Sequence, residues 1–110
     1  MAIKINGKDM KEAVITTDQY EMRFSDISGD SMKVTVKETY GEGFSFVPRF
    51  FKAVYPDKTT IPAKLGDAIP VGSGKTIEHT VVFQGKLRLD KGTSFQLIYG
   101  TKKLADVKIE

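Results

Sequence analysis

Hydrophobic and polar positions alternate with period two through much of the chain, the spacing that gathers one set of side chains on the buried face of a strand. Tyr20, Met22 and Phe24 alternate with Glu21, Arg23 and Ser25. After the turn-forming Ser28-Gly29-Asp30-Ser31, Val34 and Val36 alternate with Lys33, Thr35 and Lys37, which predicts two consecutive strands. The pattern returns in Ile77, His79, Val81 and Phe83, and again in Phe95, Leu97 and Tyr99 until Gly100-Thr101 breaks the run. Ala105, Val107 and Ile109 form a last strand, expected at a terminal position in its sheet.

Between Gly41 and Pro56 the aromatics Phe44, Phe46 and Phe50 keep the alternation while Pro48 interrupts it. Proline offers no ladder donor, so the segment reads as an edge strand, a bulge, or two short strands meeting at a bend. From Pro56 to Gly74 the chain is rich in turn residues, with Pro62, Gly66, Pro70 and Gly72, and is expected to hold loops and one short strand. The one helix candidate, Lys8 to Val14, is too short to stand without packing and reads as a turn. Residues 1–18 are expected to form a loosely packed N-terminal arm. Seven to eight short strands separated by turn signals predict an all-β, antiparallel fold over 1–110 as one domain, a sandwich or a small barrel.

With 110 residues and 12.2 kDa, the chain is long enough to bury one ordinary core. A hydrophobic fraction of 40% and a charged fraction of 28% lie near globular averages, which disfavours disorder. No window approaches the ~20 apolar residues of a membrane-spanning helix. The absence of cysteine removes disulfides, zinc ribbons, iron–sulfur ligation and a thiol nucleophile together. The formal charge is +3, but 17 basic and 14 acidic residues are interspersed, the pattern of a solvated surface. The opening Met1-Ala2-Ile3-Lys4-Ile5-Asn6-Gly7-Lys8 has no apolar leader core. That leaves two settings open: cytoplasmic if Met1 is the native start, or cell-surface or extracellular if the chain is a trimmed form.

Motif by motif, catalysis finds little support. Gly72-Ser73-Gly74-Lys75-Thr76 ends like a phosphate loop, but the motif needs a further glycine where this chain has Ile69, and a strand follows where a helix is required. His79 is the only histidine and shares the strand phase of Ile77, Val81 and Phe83, as a core or boundary residue does. Asp26 and Asp30 flank a turn without the spacing of a calcium loop. No serine elbow accompanies the lone histidine. No catalytic residue, cofactor or metal is therefore expected. The informative cluster is Phe44, Phe46, Arg49, Phe50, Phe51, Lys52 and Tyr55, aromatics interleaved with cations. It fits core packing, a protein interface, or base stacking with phosphate contacts along single-stranded nucleic acid.

Ile69-Pro70-Val71-Gly72, then Thr76-Ile77-Glu78-His79-Thr80-Val81-Val82-Phe83, resemble the turn and following strand of the immunoglobulin-like (telokin-like) domain of small bacterial surface lipoproteins of unassigned function. Ser94-Phe95-Gln96-Leu97-Ile98-Tyr99-Gly100 and Ala105-Asp106-Val107-Lys108-Ile109 are similar to its last two strands. The sequence departs from that family in lacking the lipid-bearing cysteine and the leader. The resemblance implies an immunoglobulin-like β-sandwich and a non-enzymatic protein-binding or accessory role, with affinity from a strand edge or from loops at one end. The alternative is a cytoplasmic or mobile-element-encoded small barrel that binds single-stranded nucleic acid or a nucleic-acid enzyme.

Overall fold

The alternating segments pair as antiparallel ladders. The computed structural model describes residues 2–110. In chain order the strands are β1 (Ile3–Ile5), β2 (Lys8–Asp9), β3 (Ile15–Thr16), β4 (Tyr20–Ser28), β5 (Ser31–Glu38), β6 (Phe44–Phe46), β7 (Phe51–Val54), β8 (Thr60–Pro62), β9 (Ile69–Val71), β10 (Thr76–Val82), β11 (Ser94–Tyr99) and β12 (Lys102–Ile109). The protein is all-β, with no α-helix among the described residues. Twelve strands exceed the seven or eight predicted, and the surplus lies among strands of two or three residues, too short for a period-two pattern to register. They form a six-stranded sheet ordered β2-β1-β12-β11-β7-β8, a four-stranded sheet ordered β10-β5-β4-β3, and a two-stranded sheet of β6 and β9.

Two irregularities set which side chains face inward. In β4 the register shifts between Phe24 and Asp26, so the buried phase runs Tyr20, Met22, Phe24 and then Ile27. In β12 the register shifts opposite Leu97 and Ile98, and the adjacent Leu104 and Ala105 are both buried.

The last strand is not at a sheet edge as expected. Residues 3–5 pair with it, Ile3 opposite Ile109 and Ile5 opposite Val107, which places β12 between β1 and β11. Asn6 and Gly7, at φ 51° and 82°, form the tight turn into β2. The Asn6 side-chain oxygen accepts the Asp106 amide at 2.8 Å. Ala2 and Glu110 exchange backbone hydrogen bonds of 3.1 and 2.8 Å. Where the sequence suggests a loose arm over 1–18, Ile3, Ile5, Ala13 and Ile15 are buried instead. For Ile3 and Ile5 the partner is not visible locally because it is the far end of the chain, while Ile15 pairs with Met22 of β4.

The segment from Gly41 to Pro56 resolves as two short strands meeting at a bend, with a single 3-10 turn at Pro48–Phe50 between β6 and β7. The stretch from Pro56 to Gly74 holds two strands, β8 and β9, where one was expected. Pro70 lies in β9, which has β6 as its single neighbour, a position where proline is tolerated.

Both larger sheets turn one face into a common hydrophobic cluster. Met22, Phe24, Val34, Val36 and Val81 come from one, and Ile5, Phe51, Ala53, Leu97, Val107 and Ile109 from the other. Phe46 of β6 joins them, its ring centroid 5.8 Å from that of Phe51. Beyond the ends of β8 and β10 a bridge pairs Ala63 with Phe83. The Lys64 amide donates to the Val82 carbonyl and the Gln84 amide to the Pro62 carbonyl, both at 2.8 Å.

One charge sits in this apolar phase. Along β5 the inward positions are Met32, Val34, Val36 and Glu38, and Glu38 is only 1% exposed. A carboxylate withdrawn from water is costly unless its lone pairs are filled. The amides of Gly41, Glu42 and Gly43 donate to it at 2.8, 3.2 and 3.0 Å, and that of Gly74 at 2.9 Å. Gly43 is required here: at φ +75° an added Cβ would lie 2.9 Å from the Val71 carbonyl oxygen. The Gly74 amide most of all, with those of Gly43, Gly41 and Glu42, holds the Glu38 carboxyl below its ordinary pKa against the opposing effect of burial.

A carboxyl held low in the fold contributes stability that is complete above its unfolded pKa and is lost as the pH falls through the folded one. Glu38→Gln is therefore expected to unfold several degrees lower than wild type at pH 7. The gap between the two should narrow as the pH drops below about 4. Thermal melts of both proteins from pH 7 to pH 2.5 test this, and parallel curves refute it.

Candidate functional site

Strand phase divides the aromatic and cationic cluster. On β7 and the residue after it, Phe51, Ala53 and Tyr55 point inward, at 0%, 0% and 2% exposure. Phe46 is likewise fully buried, stacked on Tyr99 with centroids 6.1 Å apart. Tyr55 packs on Phe95 at 5.2 Å, and its hydroxyl accepts the Arg88 amide at 2.7 Å. Phe44 is half-buried and stacks on Tyr20 at 5.0 Å. Phe46, Phe51 and Tyr55 are thus core, a correction to their candidacy as partner-binding residues. Of the seven, Arg49, Phe50 and Lys52 reach solvent beside the half-buried Phe44.

The two cations do not converge. Lys52 pairs in register with Ile98 of the neighbouring strand, on the face of the six-stranded sheet turned away from the core. Arg49 lies 5.4 Å from the Phe50 ring centroid and donates from Nη1 to the Gly66 carbonyl at 3.0 Å. It holds the loop of residues 64–68, which carries Leu65 at 86% exposure, the most exposed large apolar side chain among the described residues. Beside this loop runs a groove of about 290 Å³ lined by Pro48, Leu65, Asp67, His79, Thr80 and Val82.

Residues 79–82 of β10, an edge strand of its sheet, also line that groove. The Glu38 amide donates to the Lys75 carbonyl at 2.9 Å. With Thr76 opposite Lys37 and no register shift along the pair, this fixes the parity of the ladder. Ile77, His79 and Val81 exchange hydrogen bonds with β5, while the N–H and C=O groups of Thr76, Glu78 and Thr80 point away from it. These groups have no backbone or side-chain partner among the described residues, whereas the outward carbonyl of Val82 already accepts from Lys64. The other terminal strands have two or three residues, and of these β3 covers only Glu21 and Met22 of β4, leaving the later part of β4 without a neighbour on that side. Glu78 is ion-paired with Lys33 of β5 at 3.1 Å.

The remaining motifs fall where the sequence puts them. Gly72 to Lys75 make a turn that leads into β10 and lends the Gly74 amide to Glu38. His79 is half-buried, its ring 6.1 Å from that of Phe46. The Ser28 hydroxyl donates to the Asp26 carboxylate at 3.1 Å beside the β4–β5 turn. No group of three or more histidines, cysteines and acids able to hold a metal ion occurs among the described residues. No helix there is long and apolar enough to cross a membrane. Comparison with known proteins finds no matching family model, no matching curated protein and no matching solved structure.

Two features escaped the sequence. The open β10 edge depends on strand order, which carries no local signal. Leu65 had one: a lone leucine within the otherwise turn-like Lys64-Leu65-Gly66-Asp67.

The division between core and surface aromatics has a direct test. Phe51→Ala removes a fully buried ring and is expected to cost about 3–5 kcal/mol in urea unfolding. Phe50→Ala, at a 45% exposed site, should cost less than about 1 kcal/mol. Equal losses for the two variants would refute the assignment.

Proposed function

We propose that the chain is a non-enzymatic protein-binding domain of immunoglobulin-like sandwich architecture, and that it captures an extended segment of its partner as a strand added to β10. The observation that carries this reading is the open edge at Thr76, Glu78 and Thr80 beside the groove under Leu65. An extended polypeptide backbone presents alternating donors and acceptors at the spacing such an edge needs, and alternate side chains then supply specificity. Leu65 offers apolar contact to one of those side chains. Arg49, picked out by its aromatic neighbours, acts on the partner indirectly by fixing the loop that bears Leu65.

Strand order supports the architecture. The run β4-β5-β10 corresponds to strands A, B and E of an immunoglobulin-like domain, and β12-β11-β7-β8 to G, F, C and C′, with every pairing antiparallel. On this reading β1, β2 and β3 are additions at the margins, and the common cluster fed by both larger sheets is the sandwich core.

Proline provides a selective test, because the Thr80 N–H points off the sheet and the His79 N–H points into it. Thr80→Pro is expected to keep the ladder to β5 and an unfolding temperature within a few degrees of wild type. Peptides selected from a random displayed library on the wild-type protein should show alternating apolar positions. Their affinity should fall at least about tenfold for Thr80→Pro, the scale of one to two lost hydrogen bonds. Selected peptides that bind both proteins equally, or a library that yields none, would overturn the proposal.

A further inference from the structure

A second surface lies on the opposite margin of the four-stranded sheet, where the β3–β4 turn meets the end of β5. There Tyr20, Tyr40 and Tyr99 line an open groove of about 510 Å³ whose rim carries Asp18, Gln19 and Lys102. Tyr40 is 60% exposed, the most exposed aromatic ring among the described residues. An aromatic ring left in water on a mobile loop would signify little. This one is held on both sides: the Thr39 amide donates to the Gln19 carbonyl at 2.9 Å, and the Gly41 amide to the Glu38 carboxylate at 2.8 Å. The opposite wall is also fixed, since the Thr17 hydroxyl oxygen accepts the amides of Gln19 and Tyr20, each at 3.2 Å.

The floor rings are supported from behind. Tyr20 stacks on Phe44 at 5.0 Å and Tyr99 on Phe46 at 6.1 Å. The Tyr99 hydroxyl accepts the Val47 amide at 2.9 Å, which leaves its own proton to donate. Burial, and the neighbouring Tyr99, push the Tyr20 hydroxyl up to about 12, so it stays a neutral donor and acceptor. The side-chain polar groups of Asp18, Gln19, Tyr40 and Lys102 make no hydrogen bond or ion pair with any described residue, whereas the Tyr20 hydroxyl is engaged by Thr17.

We infer that this groove is a carbohydrate site that takes a neutral pyranose oligosaccharide across the Tyr40 ring. Charge complementarity selects that class. One acid, Asp18, and one base, Lys102, line the groove, so its charged lining sums to zero and offers no net positive field for phosphate groups and no net negative field for a cation. What it does offer is an apolar ring face bordered by unengaged donors and acceptors. A pyranose matches both parts, with an apolar C–H face to lie on the tyrosine and hydroxyls around its perimeter to meet the polar heads. The groove is remote in the strand order from the β10 edge and does not depend on strand addition there.

The experiment is a glycan array probed with the intact chain, followed by calorimetric titration of the best neutral hit from the cello-, malto-, manno- and chito-oligosaccharide series. Tyr40→Ala and Gln19→Ala serve as variants. Wild type is expected to retain at least one of these series with affinity nearly constant between 50 and 500 mM salt. Tyr40→Ala should lose at least about tenfold and Gln19→Ala less, both with unchanged unfolding temperature, because Tyr40 and Gln19 are exposed. Retention of Thr80→Pro binding at wild-type strength separates this site from the β10 edge. Binding confined to sulfated or phosphorylated glycans and abolished by salt, no neutral glycan bound, or neutral binding unaffected in Tyr40→Ala would each overturn the inference.

Discussion

One carboxylate fixes the path of the backbone at an entire end of this molecule. Glu38 continues the inward phase of β5 past the last valine and so arrives, ionised, where an apolar side chain is expected. The fold tolerates it because two loops supply amides, three from residues 41–43 and one from Gly74. The dependence runs in both directions. Those amides would otherwise lack partners, and the turns that present them rely on glycine at positive φ. The first loop leads into β6 and the second into β10, so one charged group sets the start of two strands in different sheets.

Much of the architecture was legible because period two is a strong signal wherever a strand runs for six residues or more. The phases of β5 and β10 follow it throughout, and those of β4, β11 and β12 follow it up to a single register shift. Legibility failed where a residue departed from its local rule for a nonlocal reason. Ser25 gave no hint of a bulge, yet the shift there decides that Ile27 and not Asp26 is buried. Ile3 and Ile5 looked like an idle arm because their partners lie more than a hundred positions away. Glu38 carried the one clue that could have been used, a charged residue in an otherwise apolar phase.

The aromatic segment shows the same lesson from the other side. Interleaved aromatics and cations look in sequence like one binding surface, but alternation sends neighbours to opposite faces. Phe51 and Tyr55 go to the core, Lys52 to the outer face, and Arg49 to a neighbouring loop. The surfaces that remain are assembled from distant stretches. Leu65 comes beside Thr80, and Tyr40 beside Tyr99 and Lys102. Each is framed by backbone tied down by hydrogen bonds, which lowers the entropic cost of ordering a partner.

The pairing of residues 3–5 with the last strand has a mechanical side. Because β1 and β12 run antiparallel and Ala2 bonds to Glu110, a pull applied at those two residues acts at one end of their shared ladder. The load then falls on a single rung at a time, each net worth only about 1 kcal/mol, and the strands part like a zipper. A domain pulled in shear would resist with all its rungs together. Under tension along this chain, β1 peels first and at low force, while the hydrophobic cluster beneath it still holds the larger sheets together.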